Sequence, residues 1–553
     1  MNVLVYTGPE VLQTSVSRAI TALRFALYPH YTVQPITLQS FISQPWSTSC
    51  ALLVFPACRD HLEFSHTVLA AIRTYVEKGG ALLGLRAGVK YGGFFLGPGE
   101  YSLRFQHAQT GSSIYCNFPP GTDENLRRTS IVGEDGTNVT GVAESGDVSF
   151  EGVDANGIAR VLARRADGNS VIAAELAVGA GKITLWGVQL EVPIVAEDGS
   201  ADTRLAEERR RALFGKTLHS LGLQLPSTSP DQPPYPLPQF LVSTPSNPDI
   251  VARVLQSLEL KPPATLQDTN DTFGFHDASD GEGLLVQARS SSGEDTTRHI
   301  VVYENGSLPP TSLTPHFNVQ QYFQDLDAAH QKAGHTIGSP WAVGEAFLYG
   351  EAVTSTQTLM DKNPRFLASL PSPLVSLATY QLAGRGRGGN AWVSPLGCLQ
   401  FSLRLRIPLS AMPPSRLVFV QYLVALAVVE AARDDGVLGS CGDRVRIKWP
   451  NDVYIVGEGG KEKPTKASGI LVYTAIDGEG VDIIIGCGVN VLNPPPIASL
   501  ASIIPPGARE LPTMERTAAI LMTKFEGLWS TFVANRGSFE PFLDRYYGYW
   551  LHS

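Results

Sequence analysis

The chain is short of cysteine, short of charge and without any excess of positive charge, and each shortage narrows its possible work. Six cysteines in 553 residues (Cys50, Cys58, Cys116, Cys398, Cys441 and Cys487) form no CxxC pair and no metal-ligand spacing. Neither a disulfide framework nor a zinc site is indicated, and a reducing, cytoplasmic setting is expected. Charged residues make up 17% of the chain, against ~25% in ordinary domains, and the balance is −9. With no basic field to gather a phosphate backbone, no nucleic-acid partner is expected. Apolar runs are short as well. The most apolar window, residues 417–429, is interrupted by Gln421 and falls below the ~20 residues of a membrane span. The opening MNVLVYTGPE carries no basic segment ahead of an apolar one and reads as a first strand, not a signal peptide. A Walker A loop is missing too: Gly215-Lys216-Thr217 has Arg210 where the upstream glycine belongs.

What is present is a large apolar fraction, 43%, with 53 glycines and 39 prolines. The length predicts about three or four domains at roughly 150 residues each. Apolar runs at 2–6, 51–55 and 81–85 read as buried parallel strands, separated by helical patterns such as 67–77, and this alternation predicts a doubly wound α/β sheet. A helix over about 201–221, stopped by Gly222, closes that unit. Residues 225–238 hold six prolines and read as a linker. Between 239 and 315 the pattern is mixed, with a helix near 249–258 and weak strands at 283–287 and 299–303, and no function attaches to it. Beyond Phe317 the pattern sharpens. Apolar residues alternate with polar ones over 399–407, predicting a half-buried strand, and Ser415 is placed to cap an apolar helix reaching Arg433. Strands follow at 444–449, 453–456, 469–475 and 481–486, the last two joined by a hairpin signal, Asp477-Gly478-Glu479-Gly480. The expected divisions are 1–225, a linker and insert over 226–315, and 316–553.

Three constellations carry chemistry. Gly384-Arg385-Gly386-Arg387-Gly388-Gly389-Asn390 satisfies GxGxxG, yet a strand follows it where a dinucleotide-binding loop needs a helix. Glycines that let backbone N–H groups approach phosphate oxygens, interleaved with two forked guanidinium donors, suit an anion cradle better; the plainer alternative is an RGG-type surface loop. In Lys448-Trp449-Pro450-Asn451-Asp452, Pro450 ends a strand and presents Asn451 and Asp452 at its turn; the plainer alternative is a capped hairpin. Lys466, entering an apolar strand, is a rim charge or a cation facing a phosphate or carboxylate. Gly486-Cys487-Gly488-Val489-Asn490 supplies another strand end with an amide.

Together with Thr354-Ser355-Thr356, Tyr380-Gln381, Trp392 and Ser394-Pro395, these motifs occur in the order and spacing of biotin protein ligases, and the chain resembles the eukaryotic, fungal-type holocarboxylase synthetases. The resemblance implies an α+β catalytic domain with a mixed sheet flanked by helices. It also implies ATP-dependent activation of biotin to biotinyl-5′-AMP with Mg²⁺, then transfer to a lysine of carboxylase carrier domains such as those of acetyl-CoA and pyruvate carboxylase. By the same resemblance Ser355, Thr356, Gln381 and Gly384 would hold biotin. Arg385 and Arg387 would neutralise developing charge, Lys466 would bridge the carboxyl and α-phosphate, and Trp392 would stack on adenine. Lys448, Asn451, Asp452 and Asn490, with the loop glycines 384, 386, 388 and 389 and Asn390, would serve nucleotide, metal or acceptor. A non-catalytic biotin-binding protein, a lipoate-type ligase and an RNA-binding protein stay open as alternatives.

The first ~225 residues resemble class I glutamine amidotransferases, whose nucleophilic cysteine stands in G-x-C-x-G and whose triad ends in His-x-Glu. Here Gly84-Leu-Arg-Ala-Gly88 puts Arg86 at the nucleophile position and Gln189-Leu190-Glu191 puts glutamine at the histidine position. That implies a domain unable to hydrolyse glutamine. At the other end the sequence stops at Ser553, where the family continues into a small β-barrel, so that module is expected to be absent.

Overall fold

The structure is a computed structural model. It describes every residue except 1, 29, 44–45, 49, 60–63, 87–94, 97–101, 107–112, 118–125, 147, 154–158, 195–200, 227–235, 291–296, 335–340, 387–391, 393–394, 458–462, 479, 495–496, 508–509 and 553. The chain divides into two compact units, Met1–Pro234 and Tyr235–Ser553.

In the first unit the expected alternation is present through Leu85: strand Asn2–Tyr6, helix Gln13–Leu27, strand Thr32–Ile36, strand Cys50–Phe55, helix His66–Glu77 and strand Ala81–Leu85. Ser65 caps the second of these helices by accepting from Val68 N, and the later helix Ala201–Ser220 ends before Gly222, whose φ of +90° suits glycine. Together with Gly181–Trp186 the four strands form the parallel half of a nine-stranded sheet; Val171–Val178, Ala159–Arg165, Leu126–Gly133 and Asn138–Ser145 continue it antiparallel. Parallel strands are covered on both faces, and Asn2–Tyr6 and Ala81–Leu85 are accordingly buried at every position. Glu191 lies in this core. It is fully buried, accepts 2.7 Å from Ser15 Oγ, and burial pushes its carboxyl up to about 7 against the partial relief of Arg210 and Arg18.

The second unit is built on one eleven-stranded mixed sheet, in the order Ala264–Gln267, Thr272–Asp277, Thr297–Val302, Gln239–Ser243, Ala346–Val353, Leu374–Gln381, Cys398–Pro408, Gly480–Asn490, Thr465–Ile476, Asp452–Ile455 and Val445–Lys448. The segment expected as an insert of unknown role therefore supplies four strands of this sheet. Residues 283–287, expected as a strand, lie in the helix Gly281–Ser290, which buries Leu285 and leaves Val286 60% exposed. An apolar run of that length does not distinguish the two periodicities. The hairpin at 477–480 forms as expected, with Gly480 N donating 2.8 Å to Asp477 Oδ1.

The strand Cys398–Pro408 departs from expectation in an informative way. It is central, paired on both sides, and Gln400, Ser402 and Arg404 on its polar face are as buried as the apolar face. Ser415 falls inside a short 3₁₀ entry, Pro414–Phe419, and the α-helix proper runs Val420–Arg433 without a side-chain cap. By length and composition Pro414–Arg433 is apolar enough to cross a membrane, with mean hydropathy 1.6, and 61% of it is buried inside the protein. It packs against the long helix Met514–Ala534 and the strands around Lys448 and Lys466, so its apolarity is that of a core helix.

The added strands brace the rest of the unit through buried polar contacts. Asn363, fully buried, accepts from Asp271 N (2.9 Å) and donates to Asp271 Oδ2 (2.8 Å) and Leu359 O (3.1 Å). Asp271 also holds Arg298 Nε at 2.8 Å, and Phe273 stacks on Phe366 at 4.3 Å. Asn363→Ala orphans part of this network and is expected to cost about 1–3 kcal/mol, read by urea unfolding; a loss under about 0.5 kcal/mol, the size of an ordinary surface change, would count against the brace. For the first unit, Glu191 binds its proton more tightly folded than unfolded. Its contribution is intact below about 4.5 and declines as pH rises through about 7. Glu191→Gln is therefore expected to melt close to wild type at pH 5 and higher at pH 8; an equal difference at both would refute the linkage.

Candidate active site

A cavity of about 270 Å³ opens in the second unit where the ends of several strands meet the start of the helix Thr356–Asp361. Ser355 caps that helix, its Oγ accepting from Thr358 N at 3.3 Å. Thr356 and Gln357 in its first turn, Gln381 at the end of its strand, and Phe401 and Ser402 on the central strand line one part of the cavity. Their polar atoms are tied together. Gln381 Oε1 accepts from Thr356 N (2.9 Å) and Thr356 Oγ1 (3.3 Å), and Gln381 Nε2 donates to Gln400 Oε1 (3.0 Å). Gln400 Nε2 in turn donates to Thr379 O (2.9 Å), while Ser402 Oγ donates to Thr356 Oγ1 (2.9 Å) and lies 3.3 Å from Gln357 Oε1. Gln357 Nε2 is buried and has no partner among the described residues. A buried amide donor left over from an otherwise complete network is a recognition element for a ligand acceptor.

The rest of the lining brings the charge. Asn451 and Asp452 come from the turn between Val445–Lys448 and Asp452–Ile455, and Lys466 from the next strand. Asn451 is fixed by donating 2.7 Å to Ile470 O, and Lys466 Nζ sits 2.7 Å from Asp452 Oδ1. Arg385 is paired with Asp361 at 2.6 Å. Trp392 lies on the bare backbone of Gly469 and Gly488, where an added Cβ would run into the indole, and Lys466 stands 5.8 Å from its ring centre. The base of the glycine-arginine loop is closed by Trp392 N donating to Gly384 O at 2.9 Å. Cys487 also lines the cavity, but burial pushes its thiol up to about 12, so it offers no thiolate nucleophile.

Of the residues singled out in the sequence, Ser355, Thr356, Gln381, Arg385, Gly386, Trp392, Asn451, Asp452 and Lys466 line this one cavity. Lys448 and Asn490 are not among its lining: Lys448 Nζ sits 4.8 Å from the ring centre of Tyr454, and Asn490 lies paired opposite Cys398. Arg387, Gly388, Gly389 and Asn390 lie outside the described residues. Gln357, Gln400, Ser402 and Asp361 were missed. Gln400 and Ser402 stand at the polar positions of an alternating strand, which looked like a solvent face; Gln357 follows directly on the Thr354-Ser355-Thr356 motif and was legible there.

Among the described residues no group of three or more His, Cys, Asp or Glu is placed to hold a metal ion. Asp452 is the carboxylate at the cavity, and one carboxylate together with substrate phosphates suits magnesium brought in with a nucleotide.

Arg86, Gln189 and Glu191 belong to the first unit. Arg86 ends the strand Ala81–Leu85 with φ +55°, donates from N to Trp186 O (2.7 Å) and from Nε to Ser145 O, and is lowered to about 10, burial being the main cause. Gln189 is fully buried with neither side-chain amide atom partnered among the described residues.

Residues 349–490 match the model of the Biotin/lipoate A/B protein ligase family, and residues 1–96 match Biotin-protein ligase, N terminal. The biotin–protein ligase of Schizosaccharomyces pombe is 30% identical over 590 aligned positions, covering all of this chain and 90% of that protein. The Homo sapiens biotin–protein ligase is 26% identical over 541, covering 95% of this chain and 66% of that protein. A biotin protein ligase from Aquifex aeolicus, solved in complex with biotin and ATP, overlays at a TM-score of 0.29 with 22% identity, over 37% of this chain and 78% of that one. By the identity and near-complete coverage shared with the fission-yeast protein, the chain belongs to the biotin–protein ligase family.

Proposed function

We propose that the second unit joins biotin to a lysine of carboxylase carrier domains in two steps at the Ser355–Gly488 cavity. The observation that carries the reading is the union, in one cavity, of a hydrogen-bonded amide and hydroxyl floor with two cations, each held by a carboxylate. Biotin's ureido group has a carbonyl acceptor and two N–H donors. Gln357 Nε2, Ser355 and Thr356 stand where such a group would be read, and the Gln381–Gln400 pair fixes the orientation of the floor. A lipoyl dithiolane offers only weak sulfur acceptors and no donor, and would leave Gln357 Nε2 poorly satisfied, which disfavours the lipoate alternative.

In the first step a biotin carboxylate oxygen attacks the α-phosphorus of ATP, the bond to the β-phosphate oxygen breaks, and pyrophosphate leaves. Lys466 supplies a cation at the junction of carboxylate and phosphate, and Asp452 keeps its ammonium oriented until the anion arrives. Magnesium enters with ATP, neutralising phosphate charge, with Asp452 the side chain that would face it. In the second step the acceptor's neutral ε-amine attacks the biotinyl carbonyl carbon, AMP leaves, and the amine gives up a proton. Trp392, held close against Gly469 and Gly488, offers an aromatic surface for adenine.

For the first unit we infer a silent relative of the glutamine amidotransferases. The φ of +55° at Arg86 would suit a nucleophile elbow, but a guanidinium is no nucleophile and Gln189 is no general base. The six cysteines are all free thiols, in keeping with a cytoplasmic setting.

The direct test is to incubate the chain with biotin, Mg-ATP and an apo carrier domain and to weigh the carrier: one added biotinyl group is expected, and an unchanged mass would overturn the reading. Lys466→Gln is expected to lower biotin-dependent pyrophosphate exchange by at least about 10²-fold, the scale of one oriented charge at a transition state, with melting unchanged; full exchange would remove Lys466 from the chemistry. The chain is expected to release no ammonia from glutamine, and release would reverse the account of the first unit.

A further inference from the structure

We propose that Asp361 is the positioning residue for Arg385: it grips one corner of the guanidinium so that the opposite edge faces an anionic ligand in the cavity. The proposal rests on the ligase reading above. Asp361 is the last residue of the helix Thr356–Asp361, the end at which a carboxylate meets the partial negative charge of terminal carbonyls. Its side chain is 5% exposed. A buried carboxylate at the unfavourable end of a helix needs a strong partner, and among the described residues that partner is Arg385, whose Nη1 donates to both Oδ1 (2.9 Å) and Oδ2 (2.6 Å). Thr358 Oγ1 lies 3.5 Å from the same nitrogen.

The geometry of the grip matters more than its strength. Every hydrogen bond of Arg385 among the described residues runs through Nη1, leaving Nε and Nη2, the edge that meets a carboxylate or phosphate with two parallel hydrogen bonds. Arg385 lines the cavity and stays 38% exposed. A flexible arginine that had to order itself on binding would lose side-chain entropy at that moment; one clamped in advance by a buried carboxylate does not. The helix that carries Asp361 also carries Thr356 and Gln357 at its first turn, so one short element sets both the polar floor and the guanidinium.

The anion is a carboxylate or a phosphate oxygen, which biotin and ATP respectively supply. Steady-state pyrophosphate exchange with each substrate varied in turn distinguishes them. Asp361→Asn is expected to raise KM for one of the two about five- to tenfold, with the other KM and the melting temperature near wild type, and Asp361→Glu is expected to recover most of the loss. Arg385→Lys, which has no second edge to present, is expected to raise the same KM, and the double variant Asp361→Asn with Arg385→Lys to be no worse than Arg385→Lys alone. Unchanged KM values in Asp361→Asn, a loss that Asp361→Glu does not recover, or additive losses in the double variant would each overturn the proposal. Should Asp361→Asn fold poorly, Asp361→Glu and Arg385→Lys decide it by the same criteria. Absence of exchange in the wild-type chain would instead strike the ligase reading, and calorimetric titration of biotin and of ATP into wild type and Asp361→Asn would still read the grip.

Discussion

The second unit depends on one costly arrangement: a central strand, Cys398–Pro408, that is buried on both faces while carrying Gln400, Ser402 and Arg404 on one of them. Burying amides and hydroxyls is unfavourable unless each finds a partner, so the neighbours of this strand are constrained to supply them. Gln381 on one side, Thr356 from the helix above and the Thr379 carbonyl do so, and Arg404 is met by Asp482 at 2.8 Å. Because the network spans a strand pair and a helix start, none of its members can shift alone. The floor of the cavity is therefore set before any ligand arrives, and the Gln357 donor left over is held in a fixed place.

The charges at the cavity obey a different rule. Lys466 with Asp452 and Arg385 with Asp361 are partly exposed pairs, and pairs of that kind contribute little to stability. Their value is positional. A cation that faces a cavity without a counter-charge repels its neighbours and samples many rotamers; a neighbouring carboxylate holds it in one. At Lys466 incoming phosphate brings more negative charge than the Asp452 carboxylate it competes with, which favours an exchange of partners there. The same arrangement leaves a neutral ligand with nothing to gain at Lys466, while the amide floor serves the uncharged ring.

How much of this the sequence disclosed follows from where the signal was local. The glycine-arginine loop, the KWPND turn and Lys466 are contiguous signals, and eight residues drawn from them and from the two upstream motifs line one cavity together with Trp392. Gln400 and Ser402 were hidden because alternation reports two unlike faces and not which of them meets water: a polar face turned into a site has the same period as one turned to solvent. Between 239 and 302 the sequence showed only the strand near 299–303, found at Thr297–Val302, and the others were obscured for a related reason. They are short, and they acquire their place by pairing with Ala346–Val353 and with one another, a long-range contact that no window of sequence contains. Asp361 gave no signal at all, since its meaning lies in Arg385, twenty-four residues away.

The first unit shows how a strained backbone position can serve a sheet. A left-handed φ at a non-glycine residue carries a local cost of roughly 1–3 kcal/mol, and Arg86 bears it at a strand end where glycine would relieve it. Strain of this kind persists only where the surroundings over-determine it. Here they do: Arg86 N is bonded to Trp186 O, its side chain reaches the Ser145 carbonyl, and the charge of Glu144 favours its cationic form against burial. The arginine thus acts as an anchor, drawing the ends of strands Ala81–Leu85, Gly181–Trp186 and Asn138–Ser145 together. The guanidinium is buried, and its Nε is committed to the Ser145 carbonyl.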